Sequence, residues 1–152
     1  MIQADQYKTA STIVRLGNAV TYYRNIRMQE YGLTSAQGDV IRGILHQPGI
    51  TAAELKKKLG LSQSTVAGIL ERLTQKGLVE KTLVEGDARK MSLYPTPRGL
   101  ELEAFLKETA LETQERIMEG MTREEQREFD RLLEIALAHM SALRGKEDEE
   151  NG

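Results

Sequence analysis

The stretch from Thr51 to Gly77, TAAELKKKLGLSQSTVAGILERLTQKG, constrains the chain most. Thr51 followed three residues later by Glu54 forms a capping box, in which the hydroxyl accepts a free backbone N–H and the carboxylate reaches back to the cap. A helix therefore starts at this point. Ala52, Leu55 and Leu59 share one face of it, the lysines 56–58 point largely elsewhere, and Gly60 supplies the positive φ that ends a helix at little cost. Leu61 suits a buried turn position, and Ser62 is a good N-cap for a second helix. There Val66, Ile69, Leu70 and Leu73 follow the i, i+3, i+4, i+7 pattern up to Gly77. Two short helices joined by a tight turn are expected.

The outward side of the second helix carries Ser64, Gly68 and Gln75, flanked by Thr65 and Arg72. Short hydrogen-bonding side chains near a helix N-terminus, with cations further along, suit a helix that enters a major groove. The same pattern also describes an ordinary helical hairpin with a solvated polar face. The segment after Gly77 decides between them. Residues 78–83, LVEKTL, and 90–94, KMSLY, read as two strands separated by the turn-prone segment 85–89, EGDAR. Two helices succeeded at once by a hairpin make a winged helix-turn-helix. Arg89 at the hairpin tip is placed to reach a neighbouring minor groove. A winged helix that docks on a protein is the competing reading, and the cation at the tip argues against it.

Leu33-Thr34-Ser35-Ala36-Gln37, the run Leu61 to Val66, the run Leu73 to Val79, the wing's Asp87-Ala88-Arg89 and then Thr96-Pro97-Arg98-Gly99 together resemble the multiple-antibiotic-resistance regulator (MarR) family. The resemblance covers most of the chain. It implies a homodimeric transcription factor, read here as a repressor, on near-palindromic double-stranded DNA. Such regulators are often released by a small lipophilic or phenolic effector. Carried over by position, Ser64 and Thr65 become base-edge readers, Ser62 and Gln63 phosphate contacts, Arg72 a flanking-backbone contact, and Arg89 and Lys90 wing contacts. Asp87 would repel phosphate, so its implied role is to hold the wing by pairing with a cation such as Arg89. Gly68 departs from the family, in which an arginine is frequent at that place. Family effectors sit between the dimerisation helices and the DNA-binding lobe, which makes Arg15, Tyr22 and Tyr23 the candidate pocket residues.

Composition closes off other classes. The 152 residues contain no cysteine, which excludes disulfides, thiolate metal sites and thiol redox sensing. The first residues have neither a basic nor an apolar leader region, and no stretch approaches the roughly 18 apolar residues of a membrane span, so a cytoplasmic protein is expected. No phosphate loop, nucleophile elbow or metal-ligand spacing is present, and His46 reads as a helix-end surface group, so neither an enzyme, a metal nor a cofactor is expected. The net charge of −2 is uneven: residues 51–99 carry 9 Lys/Arg against 5 Asp/Glu, and residues 100–152 carry 7 against 15. Screening over about 8 Å keeps a distant acidic end from cancelling a locally basic face.

The remaining text supplies helices at both ends. Residues 5–31 read as one helix with Ile13, Leu16, Val20 and Tyr23 on a stripe, ended by Gly32. Thr34 and Gln37 form a capping box for a helix to about Gln47, and Ile50 is expected to add a third short strand. Thr96 and Pro97 open a helix expected to reach Glu119, and Thr122 with Glu125 caps a last one. In that last helix Phe129, Leu133, Ala136, Met140 and Leu143 recur every 3.5 residues, a seam for another helix. Ile13, Leu16, Val20, Phe129, Leu133, Ala136 and Met140 are therefore the expected homodimer interface. The expected fold is mainly α with a small β-hairpin (α+β) in a single domain. Its lobe spans 33–95, its dimerisation helices 5–31 and 97–144, and an acidic, disordered tail 145–152.

Overall fold

The computed structural model describes residues 7–84 and 87–151, with the side chains of 84–89 and 147–151 outside that description. The chain divides into two compact units, Met1–Thr113 and Gln114–Gly152.

The first unit opens with α1 (Lys8–Gln29) and α2 (Ser35–His46). The Thr34 hydroxyl accepts the Gln37 N–H at 3.1 Å, and the Gln37 side chain accepts the Thr34 N–H at 3.1 Å, so the expected capping box forms in full. Next come β1 (Ile50–Thr51), α3 (Ala52–Leu59) and α4 (Gln63–Gln75). At α3 only half the box forms. Thr51 Oγ1 accepts the Glu54 N–H at 3.2 Å, while the Glu54 carboxylate accepts instead from Gln47 Nε2 at 3.4 Å. Gly60 ends α3 at φ 65°. Past α4, Gly77 at φ 73° lets its own N–H bond Thr74 O and the Leu78 N–H bond Leu73 O, each at 3.0 Å. That paired closure satisfies carbonyls that would otherwise be orphaned and turns the chain into β2 (Val79–Val84).

β3 (Asp87–Pro95) lies between β2 and β1 in an antiparallel sheet of order β1-β3-β2, so the expected third strand is present. Ile50 faces Leu93 across it. The second hairpin strand begins at Asp87, earlier than the expected Lys90. Leu83 pairs with Met91 but Val84 with Asp87, so residues 88–90 lie between consecutive partners, a β3 irregularity near the hairpin end. One contiguous core gathers Val40, Ile41 and Ile44 of α2, Leu55 of α3, the four apolar residues of α4, and Leu93 of β3.

The single helix expected from Thr96 to Glu119 is two. α5 (Pro97–Leu100) is one turn, and α6 (Glu103–Met118) starts after a break at Glu101 and Leu102. The cause lies in Thr96-Pro97-Arg98-Gly99. Thr96 Oγ1 accepts the Gly99 N–H at 3.1 Å and donates to Gly77 O at 2.6 Å, and the Thr96 N–H bonds Leu78 O at 3.1 Å. Gly99 is thereby pressed so close that a Cβ there would lie 2.2 Å from Leu78 O. α5 is tied to the end of α4, and the chain must bend to bury Leu102, Phe105 and Leu106 in the core.

In the second unit, Thr122 and Glu125 form a complete capping box, with bonds of 3.2 and 3.1 Å, at the start of α7 (Arg123–Asn151). α7 continues through most of the segment expected to be a disordered tail. Its residues 146–150, KEDEE, are good to fair helix formers and continue a helix already nucleated upstream.

Substituting Gly99→Ala should cost about 3 kcal/mol, because the obstacle is backbone and cannot swing away. Urea unfolding measures this, and an unchanged midpoint would contradict the close packing.

Candidate nucleic-acid interface

Four residues set the rotation of α4. Val66, Ile69, Leu70 and Leu73 are all buried, which turns Ser62 to Thr65, Ala67, Gly68, Arg72 and Gln75 to the exposed side. Each buried side chain contributes about 1.5–3 kcal/mol, so the face presented outward is firmly fixed.

At the start of α4 three hydroxyls form one cluster. Ser62 Oγ accepts the Thr65 N–H at 3.2 Å and donates to Thr65 Oγ1 at 2.7 Å, with Ser64 Oγ 3.3 Å from it. Ser62, expected to touch phosphate, is thus committed to capping. Its bond to Thr65 Oγ1 leaves the threonine's own proton directed away from the cap. The N-termini of helices carry partial positive charge, and here the small side chains leave it open to solvent.

Gly68 sits in the middle of this face, and a Cβ built on it would meet nothing within 4 Å. Packing does not require the glycine. It costs about 1 kcal/mol of helix propensity relative to alanine and leaves the backbone bare at the centre of the exposed face.

Around this face the cations are Arg72 at the far end of α4, the lysines 57 and 58 of α3, and Lys81 and Lys90 of the wing, all exposed. Lys76 is engaged otherwise, donating to Gly32 O in the turn after α1. Asp87 and Arg89 belong to the β3 backbone, but their side chains, and so the pairing expected of them, lie outside the described residues.

The three candidate effector residues all lie on α1. Arg15 and Tyr22 are exposed, and the half-buried Tyr23 directs its hydroxyl to Glu112 at 3.5 Å. None of them lines the cavity of about 370 Å³ that lies between α3, α4 and the wing. Of the expected interface residues, Ile13, Leu16, Leu133, Ala136 and Met140 are exposed, whereas Val20 and Phe129 are half-buried.

Other polar links escape sequence reasoning. Arg24 of α1 pairs with Asp39 of α2, which Arg42 also approaches at 3.7 Å. Asn25 Oδ1 accepts the Ser35 N–H at 2.7 Å. Arg27 lies 3.2 Å from Glu112 and 2.7 Å from Glu30. Although desolvation opposes it, the attraction of Glu112 and Glu30 holds the Arg27 guanidinium above its ordinary pKa.

The MarR family profile matches residues 31–90, the whole span from the α2 cap into the wing. A MarR protein from Peptoclostridium difficile superposes with a TM-score of 0.90 at 25% identity, covering 96% of this chain and 95% of that one. Over residues 31–90 the chain is similar to the MarR family. Its fold is the winged helix-turn-helix of MarR structures. The chain is 24% identical over 131 residues to an HTH-type transcriptional repressor of Mycobacterium tuberculosis, covering 86% of this chain and 94% of that one. In fold it matches a mutant MarR from E. coli complexed with operator DNA, with a TM-score of 0.80, 22% identity, and coverage of 88% and 96%. Among the described residues no helix is long and apolar enough to cross a membrane.

Because Gly68 is unconstrained by packing, Gly68→Ala should raise the melting temperature of this protein by about 2–4 °C. A scanning calorimetry trace with an unchanged or lowered midpoint would contradict the placement of Gly68 on an open face.

Proposed function

We propose that this chain is a MarR-family repressor that binds a near-palindromic operator as a homodimer. α4 enters the major groove and the wing lies along the adjacent backbone and minor groove. The observation that carries this reading is the exposed start of α4, where Ser64, Thr65 and the bare backbone at Gly68 share one face between the cations of α3, Arg72 and the wing. Ser64 and Thr65 are short enough to reach base edges without holding the helix away. Gln63 suits a phosphate at the helix start, and Lys90 and Arg89 suit the wing's contacts. The repressor of Mycobacterium tuberculosis and the operator complex of the E. coli protein favour the same reading.

Two copies are needed because one helix and one wing touch few base pairs, and specificity grows when two half-sites are read at a fixed spacing. Each unit leaves apolar side chains uncovered that a second copy would bury. On α1 these include Ile13 at 49% and Ile26 at 50% exposure, and on α7 Leu137 at 61% and Met140 at 66%. Release by a small lipophilic or phenolic effector, with Arg15, Tyr22 and Tyr23 near its site, belongs to the same proposal.

Met140→Glu tests the dimer and the DNA reading together. An unpaired charge buried at a helix seam is strongly destabilising, so light scattering should report monomers. In fluorescence anisotropy those monomers should bind duplex DNA weakly and with little sequence preference, since each lobe keeps its phosphate contacts. An intact dimer would refute the α7 seam, and a wild-type chain that leaves duplex DNA free at low salt would refute the operator reading.

A further inference from the structure

The sequence of α4, QSTVAGILERLTQ, contains one acid, Glu71. On a helix of about 3.6 residues per turn, Ser64, Gly68, Glu71 and Gln75 fall within about 60° of one another, opposite the buried stripe of Val66, Ile69, Leu70 and Leu73. All four are exposed. Glu71 therefore faces straight outward, whereas Arg72 stands to one side, about 80° from Ser64. Among the described residues Glu71 forms no ion pair. A carboxylate of this kind is unremarkable on a helix face that stays in water. On a face presented to a polyanion it is repelled by phosphate, unless the duplex supplies a donor to meet it.

We propose, resting on the operator reading above, that Glu71 is a specificity-determining residue that accepts a hydrogen bond from the exocyclic amine of one cytosine in each half-site. In the major groove guanine shows acceptors at N7 and O6, thymine one at O4, and adenine an N7 acceptor beside its amine. An ionised carboxylate only accepts, so each of these edges opposes it. Cytosine offers its N4 donor with no acceptor next to it on the same edge. No arginine or lysine stands on the outward line to read guanine instead. Gly68 gives the carboxylate its path. Helical side chains lean toward the N-terminus, so Glu71 leans over the turn that holds Ala67 and Gly68. A Cβ at Gly68 would meet nothing within 4 Å, and this bare backbone lets the helix settle deeply enough for a side chain one turn further on to meet a base edge. In a groove about 12 Å wide, the middle also keeps the anion away from both phosphate rows.

The test selects duplexes with a randomised segment on the full-length chain and on Glu71→Ala, then compares single-base variants of the enriched duplex by fluorescence anisotropy. The wild type should enrich a cytosine at one position of each half-site, and replacing that C·G pair should weaken its binding about tenfold. In Glu71→Ala the preference at that position should shrink to about twofold or less, with the preferences at other positions unchanged. Its binding to unrelated duplex should hold or tighten with the same salt dependence, because an anion is removed and no phosphate contact is lost. A merely structural glutamate would instead weaken all sequences alike. Circular dichroism verifies the fold of the variant, whose substitution lies at an exposed position. A wild-type chain that enriches no sequence would overturn the operator reading and this proposal with it. If a sequence is enriched, identical preferences in wild type and Glu71→Ala, a preference lost at a base other than cytosine, or uniform weakening across sequences would each overturn the role of Glu71 alone.

Discussion

The rotation of α4 is the constraint on which the rest depends. Four buried side chains, Val66, Ile69, Leu70 and Leu73, give the helix one way to sit, and that placement determines everything exposed on it. The closure beyond it depends on the same placement. Gly77 turns the chain out of α4 into the wing, and Thr96, where the chain leaves the wing, donates its hydroxyl back to Gly77 O. The wing therefore starts and finishes at the end of α4, and the lobe's recognition face and its hairpin are set by one apolar stripe and one threonine.

Electrostatics then gives that face its sign without making the whole molecule basic. The excess of cations lies in residues 51–99, while residues 100–152 carry more than twice as many acidic as basic groups. Local potential governs contact with a polyanion once screening confines each charge to about 8 Å. The hydroxyl cluster of Ser62, Ser64 and Thr65 adds direction to this potential. The cap fixes the first turn, and the neighbouring side chains inherit its geometry.

Much of the lobe is legible in the sequence because its signals are local. Thr34 with Gln37, Thr51, Ser62, Gly60 and Gly77 each act within one helical turn, and the structure realises each of them. The capping box at Thr51 is only half formed because a partner seven residues away, Gln47, takes the Glu54 carboxylate. Contact between distant segments leaves no such local signal. The Arg24–Asp39 pair, the Asn25 bond to Ser35 and the approach of Gly99 to Leu78 O join residues well separated along the chain. The last of these breaks a helix that periodicity alone would run unbroken from Pro97 to Glu119. The cleft lined by Ala52, Ala53 and Ala67 is equally silent in the sequence, since small residues register as weak apolar signals and a void appears only when their helices are packed together.

The central claim is that the start of α4 occupies the major groove, once per subunit, on a two-fold related site. Methylation protection reports this directly, because dimethyl sulfate attacks guanine N7, an atom exposed only in the major groove. On a duplex selected by the chain, the account predicts two protected patches on one side of the helix, with centres about one turn or a whole number of turns apart, roughly 34 Å each. A single protected patch, or sequence-selective binding with every guanine N7 still reactive, would contradict it.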